Sequence, residues 1–160
     1  MALENETIET IEPENLEEDT TKNKYLTFKI EGEEYGIDIC HVIEIITVCS
    51  ITWIPEAPDF LKGIINLRGS IIPVIDVRLR FKKEEKPYDS LTCIIVIEYE
   101  NYQVGLIVDT VDEVMYIPEE NISLPPNAKL KFQNKFIKNI GKIGEDVQLL
   151  LDLDKFLFLE

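Results

Sequence analysis

Two stretches of this chain share one frame, which restricts the fold to an architecture built from two similar halves. The first, Phe60 to Phe81, reads Phe-Leu-Lys-Gly-Ile-Ile-Asn-Leu-Arg-Gly-Ser-Ile-Ile-Pro-Val-Ile-Asp-Val-Arg-Leu-Arg-Phe. The frame returns as Phe136-Ile137-Lys138 and Leu149-Leu150-Leu151-Asp152-Leu153. Phe60 aligns with Phe136, Lys62 with Lys138 and Asp76 with Asp152, all at one constant spacing. Arg68 breaks the match, because Gly144 stands at its place. The repeat accounts for fold, so the departure from it is the first place to look for function.

A second spacing aligns Tyr35-Gly36-Ile37 with Val104-Gly105-Leu106. It brings Val42 opposite Val111, Glu44 opposite Glu113 and Ile45 opposite Val114. The frame shifts because the second copy has a longer connection, around residues 122–135, and a length change belongs in a surface loop.

The segments themselves read as short strands. Leu26, Phe28 and Ile30 alternate with Thr27, Lys29 and Glu31, the pattern of a half-buried strand. Gly32 makes a turn, Tyr35 to Ile39 returns, and Val42 to Val48 is rich in β-branched residues. Strands over 62–67 and 70–75 meet at the Arg68-Gly69 turn, and Pro73 places the second of them at an edge or bulge. Residues 94–99 and 104–108 repeat the opening hairpin. Asp76 and Asp152 each suit the N-cap of a short helix. The expectation is an all-β fold of two small barrels packed on each other, about 25–86 and 87–160, after an acidic tail over 1–23.

The net charge of -15 speaks against a nucleic-acid partner, whose phosphates must be met by clustered Lys and Arg. It speaks equally against an anionic membrane surface. No apolar run approaches the roughly 20 residues of a bilayer span, and the acidic start is unlike a signal peptide, so a cytoplasmic protein is expected. Cys40, Cys49 and Cys93 lack zinc spacing and read as buried reduced thiols. His41 is the single histidine and has no second ligand near it in sequence, so neither a metal site nor a cofactor is expected.

The chain has no phosphate-binding glycine loop and no nucleophile elbow. Nucleophile activation by histidine could run only through His41, which lies in the strand-like stretch opposite Val42 in orientation. Binding is the better reading. Arg68 offers a planar fork of donors at a turn, either to a partner or to an internal acid, for which Glu44 is the candidate. Val42, Ile45, Val111 and Val114 read first as core, and Val42 as part of a charge-rimmed contact patch if its face is not the buried one. Alternation puts Val42 and Glu44 on one face. Trp53 is open to the same two readings, core packing or interface anchor.

The run Phe60-x-Lys62-Gly63-x-Ile65-Asn66-Leu67-Arg68-Gly69-x-Ile71-Ile72-Pro73-Val74-Ile75-Asp76-x-Arg78 resembles the signature of CheW-type coupling proteins of bacterial chemotaxis. Tyr35-Gly36-Ile37, Val42-x-Glu44-Ile45, Val104 to Asp109 and Leu149 to Asp152 extend the resemblance from Tyr25 to about Leu159. It implies two SH3-like five-stranded barrels, with short helices after Asp76 and at the C-terminus. It also implies a non-enzymatic, cytoplasmic adaptor recruited to membrane-associated chemoreceptor arrays. The implied partners are the regulatory domain of a CheA-type histidine kinase and the cytoplasmic tip of methyl-accepting chemoreceptors. Receptor contacts would fall on Val42, Glu44, Arg68, Val111 and Val114, as two walls of one groove. Kinase contacts would fall on Thr52, Ile54, Pro55, Pro58 and Gly63, with a second surface at Ser123, Pro126 and Ala128. With no kinase or receiver segment before Glu160, the free-standing adaptor is expected. The alternatives are an adaptor for another kinase pathway and a small acidic enzyme with His41 as base.

Overall fold

Asp76 and Asp152 make the same joints, so the repeat is visible in the hydrogen bonds. In the computed structural model, which describes residues 21–125 and 135–158, the Asp76 amide donates to the Phe60 carbonyl at 2.8 Å and the Asp152 amide to the Phe136 carbonyl at 2.7 Å. Asp76 Oδ1 accepts from the Leu79 amide at 3.3 Å, and Asp152 Oδ1 from the Lys155 amide at 3.1 Å. Each side chain thereby caps a short helix, as expected. The expected tail falls almost wholly outside the described residues.

The first copy runs β1 (Lys24–Ile30), β2 (Glu33–Asp38), β3 (Val42–Thr47), β4 (Leu61–Leu67), β5 (Ser70–Asp76) and helix α1 (Val77–Arg80). The second runs β6 (Cys93–Tyr99), β7 (Tyr102–Val108), β8 (Thr110–Tyr116), the two-residue β9 (Ile122–Ser123), β10 (Ile137–Ile143), β11 (Asp146–Leu151) and α2 (Leu153–Phe158). The fold is all-β, as the alternation predicts.

The sheets do not follow the halves of the sequence. One has the order β3-β6-β7-β5-β4 and the other β8-β1-β2-β11-β10-β9. The β6–β7 hairpin completes the sheet of the first copy, while β1–β2 completes that of the second. The expected division into 25–86 and 87–160 is therefore corrected, since each SH3-like barrel draws strands from both sides of it. The exchange runs through two parallel joints, β5 with β7 at Val74 and Gly105, and β2 with β11 at Gly36 and Leu150. Parallel neighbours cannot be linked by a tight turn and must come from distant parts of the chain. The sixth strand of the larger sheet is β9, which adds only the pairs of Ile122 and Ser123 with β10.

The joints explain two glycines. A Cβ on Gly36 would lie 2.9 Å from Leu150 Cδ2, and one on Gly105 would lie 2.8 Å from Ile94 Cγ2. Pro73 stands one residue before β5 begins to pair with β7 at Val74, so its missing donor costs that ladder nothing.

Strand β6 shows why the chain has unbroken apolar runs. Ile94 and Val96 face a cluster inside the five-stranded barrel with Ile65, Ile72 and Val74, whereas Ile95 and Ile97 face a larger cluster shared with Leu26, Phe28 and Tyr35 of the other sheet. Strands buried on both faces lose the polar half of the alternation. At the seam, the Arg80 guanidinium lies 4.2 Å from the Phe60 ring and 4.5 Å from the ring of its counterpart Phe136, and Nε donates to the Phe156 carbonyl at 2.8 Å.

Two local expectations change. His41 belongs to a 3-10 turn, Ile39–His41, because Asp38 Oδ1 accepts from the Cys40 amide at 3.0 Å and bends the chain before β3 starts. Cys40 and Cys49 are exposed and Cys93 half-buried, so the thiols are free but not core residues.

Candidate partner-binding site

The Arg68-Gly69 turn joins β4 to β5 with both residues at positive φ, 51° and 90°. Two-residue hairpins prefer that geometry because it matches the twist of the strands. Gly144, the counterpart of Arg68, has φ 59°, and Glu31 and Glu100 hold the same backbone in the other two hairpins. The backbone of Arg68 is therefore what its turn requires, and its side chain is what sets it apart.

That side chain reaches β3. Arg68 Nη1 donates to Glu44 Oε1 at 2.6 Å and Nη2 to Glu44 Oε2 at 2.7 Å, so the internal partner named from the sequence is the one found. The pair stays at the surface, with 70% of the Arg68 side chain exposed. The hydrogen bond from Arg68 holds the Glu44 carboxyl below the usual carboxylate range. Two planar groups thus form one rigid, locally neutral feature with free donor edges.

Strand β3 ends the five-stranded sheet and β8 ends the six-stranded one, so each is paired on one side only. Both carry a bulge at the same repeat position. Val42 pairs with Ile97 and Glu44 with Val96, leaving Ile43 as the extra residue. On β8, Val111 pairs with Phe28 and Val114 with Leu26, with the shift between them. The Thr27 hydroxyl fills the second bulge, donating to the Glu113 carbonyl at 2.9 Å and accepting from the Glu113 amide at 3.2 Å.

The bulges decide the faces. Residues directly paired across antiparallel strands share a face. Val42 faces with Ile97 toward the shared core, and Glu44 faces with Val96 the other way. The expectation that Val42 and Glu44 lie together is corrected. The residue sharing the face of Val42 is Ile45, paired with Ile95, as Val114 shares the face of Val111. Val42 and Val111 are half-buried against the shared core, while Ile45 is 43% and Val114 50% exposed. Ile45 was legible as the repeat counterpart of Val114, and only the bulge shows why it belongs with Val42.

The second group gathers around β4. Thr52 bridges Ile64, its amide donating to the Ile64 carbonyl at 2.8 Å and its carbonyl accepting from the Ile64 amide at 2.9 Å. A Cβ at position 63 would lie 2.1 Å from the Thr52 carbonyl oxygen, so Gly63 and Thr52 are brought into direct contact. Pro55 and Pro58 are exposed, Ile54 half-buried, and the Pro58 carbonyl accepts from the Leu61 amide at 3.0 Å. Ser123 lies exposed on β9, in the other barrel. Pro126 and Ala128 lie outside the described residues.

The family model for the CheW-like domain matches residues 24–159. The chain is 37% identical over 142 residues to the chemotaxis protein CheW of Klebsiella aerogenes, covering 89% of this chain and 86% of that protein. It is 32% identical over 137 residues to the CheW protein of Bacillus subtilis, covering 86% of this chain and 88% of that one. Among solved structures, the scaffolding protein TtCheW from Thermoanaerobacter tengcongensis superposes with a TM-score of 0.78 at 37% identity, over 86% of this chain and 94% of that one.

Proposed function

The chain belongs to the CheW-like domain family, and on that premise we propose that it is a non-enzymatic adaptor joining the cytoplasmic tip of methyl-accepting chemoreceptors to the regulatory domain of a CheA-type histidine kinase. The observation that carries this reading is the pair of repeat-related free edges. Strands β3 and β8 each turn two apolar side chains to the face that borders the shared core, Val42 with Ile45 and Val111 with Val114. Each pair has one half-buried and one exposed member, as an apolar wall does when its outer part awaits a partner.

A receptor tip is a helical hairpin, and a helix with an apolar stripe lies in a groove of this kind. The Arg68–Glu44 pair lies toward the opposite face of the same free edge of β3, where it supplies a polar contact that fixes register. The kinase engages the Thr52 to Pro58 segment supported by Gly63, with a second contact at Ser123, Pro126 and Ala128. No helix among the described residues is long and apolar enough to cross a membrane. The protein works in the cytoplasm and reaches the receptor array by binding it. Its part is to hold both partners so that a change in receptor conformation biases the kinase. Such coupling requires unequal affinity for the receptor's signalling states.

The test is a calorimetric titration of a receptor-tip fragment into the wild type and into Ile45→Asp and Val114→Asp, both exposed positions. The reading expects each variant to lose at least about tenfold in affinity with an unchanged folded spectrum. Wild-type affinity in both variants would remove the groove from the account.

A further inference from the structure

Trp53 is the only tryptophan in the chain, and 72% of it is exposed. An indole can bury some 150–250 Å², so leaving it in water forgoes a large apolar contribution. The backbone that presents it is nevertheless fixed. Thr52, its neighbour, is locked to Ile64 by the two backbone bonds at 2.8 and 2.9 Å. Ile51, on the other side of Thr52, packs onto the apolar interior of the five-stranded barrel. Gly63 lets β4 approach this closely, since a Cβ there would also lie 3.0 Å from Ile51 Cγ2. The platform is therefore held by Ile51, Thr52, Ile64 and Gly63, and none of that needs the indole.

We propose that Trp53 is the anchor of the kinase-facing surface, entering an apolar pocket on the kinase, and that Gly63 is a positioning residue acting through it. This inference rests on the adaptor reading and deepens it by naming the residue on which the kinase contact depends. The occupant is the kinase because Trp53 is continuous with the Thr52 to Pro58 segment, whereas the receptor walls are carried by β3 and β8. The acidic neighbours Glu56 and Asp59 are exposed, so the complementary pocket has a basic rim. A tryptophan on a rigid backbone loses little freedom on docking, and such residues dominate interface energetics.

The experiment uses the full chain, the host's full-length kinase and a receptor-tip fragment. Trp53→Ala is expected to lose at least about tenfold in kinase affinity while keeping wild-type affinity for the receptor tip, with Trp53→Phe between the two. Because the tryptophan is unique, wild-type emission is expected to shift to the blue when the kinase is added and to stay put with the receptor tip. Gly63→Ala is expected to weaken the kinase in wild type but to cost little more in a Trp53→Ala background. Wild-type kinase affinity in Trp53→Ala overturns the anchor and leaves the adaptor reading standing. A wild-type protein that binds neither partner overturns the adaptor reading itself.

Discussion

Arg68 and Glu44 meet through both prongs of the guanidinium, at 2.6 and 2.7 Å, across the tip of one hairpin and the free edge of another strand. An exposed pair contributes little to stability, so its placement beside the apolar edge of β3 is better explained by recognition. Arg68→Glu is expected to leave the melting temperature within a few degrees of wild type and to weaken the receptor tip at least about tenfold by calorimetry. If Arg68 itself contacts the receptor, the swapped pair Arg68→Glu with Glu44→Arg stays weak although the ion pair is restored. Full recovery in the swap would assign Arg68 a purely internal role.

The hairpin exchange is testable at its joints. Gly36→Ala puts a methyl 2.9 Å from Leu150 Cδ2, where β2 meets β11 in parallel. Overpacking of this kind costs about 1–3 kcal/mol, and denaturant unfolding should show it as a lower midpoint. A neutral result would mean that Leu150 turns its Cδ2 aside, so that the joint is packed more loosely than described.

Asp109 clamps the β1–β2 turn to the other sheet. Arg78 donates to it through Nε at 2.8 Å and Nη2 at 2.6 Å, and the Glu31 amide donates at 2.9 Å. Burial alone would raise its pKa, but these hydrogen bonds and the Arg78 charge together hold it below the usual range. A depressed carboxylate stabilises the fold above its unfolded pKa, about 3.9, and that contribution is lost as the pH falls through the lower folded value. Asp109→Asn should cost about 2–4 kcal/mol at neutral pH, with the gap to wild type closing in acid. A gap that stays constant down to pH 2 would contradict the assignment.

The Cys40 thiol is pushed up to about 11, by partial burial first and then by the hydrogen bond and charge of Asp38. Alkylation proceeds through the thiolate. Labelling of Cys40 by iodoacetamide, followed by peptide mass, should keep accelerating with pH past about 10, and Asp38→Asn should move the curve to lower pH. A plateau by about pH 10 in the wild type, where an ordinary thiol is already almost fully ionised, would refute the shift.

The repeat made much of this legible. The correspondence of Asp76 with Asp152 and of Val42 with Val111 follows from aligning the chain with itself, whereas Glu44 was named as the acid for Arg68 with no repeat spacing linking the two. What alignment lacked was partnership between strands. Hairpin periodicity is the same whichever sheet receives the hairpin, so the exchange of β1–β2 and β6–β7 left no local mark beyond Gly36 and Gly105. The bulge at Ile43 was equally silent, because one extra residue in β-branched sequence preserves composition while reversing the face of Glu44. Trp53 was ambiguous for a simpler reason. Its exposure depends on a bridge between Thr52 and Ile64 that no sequence spacing announces.

The most direct measurement is sedimentation of the full chain with the host's full-length kinase and a receptor-tip fragment, alone and together. The account predicts one complex containing all three, formed only when this protein is present and lost with Arg68→Glu on the receptor side or Trp53→Ala on the kinase side. Mutually exclusive binding, with kinase and receptor tip displacing each other, would contradict it, because an adaptor has to hold both at once.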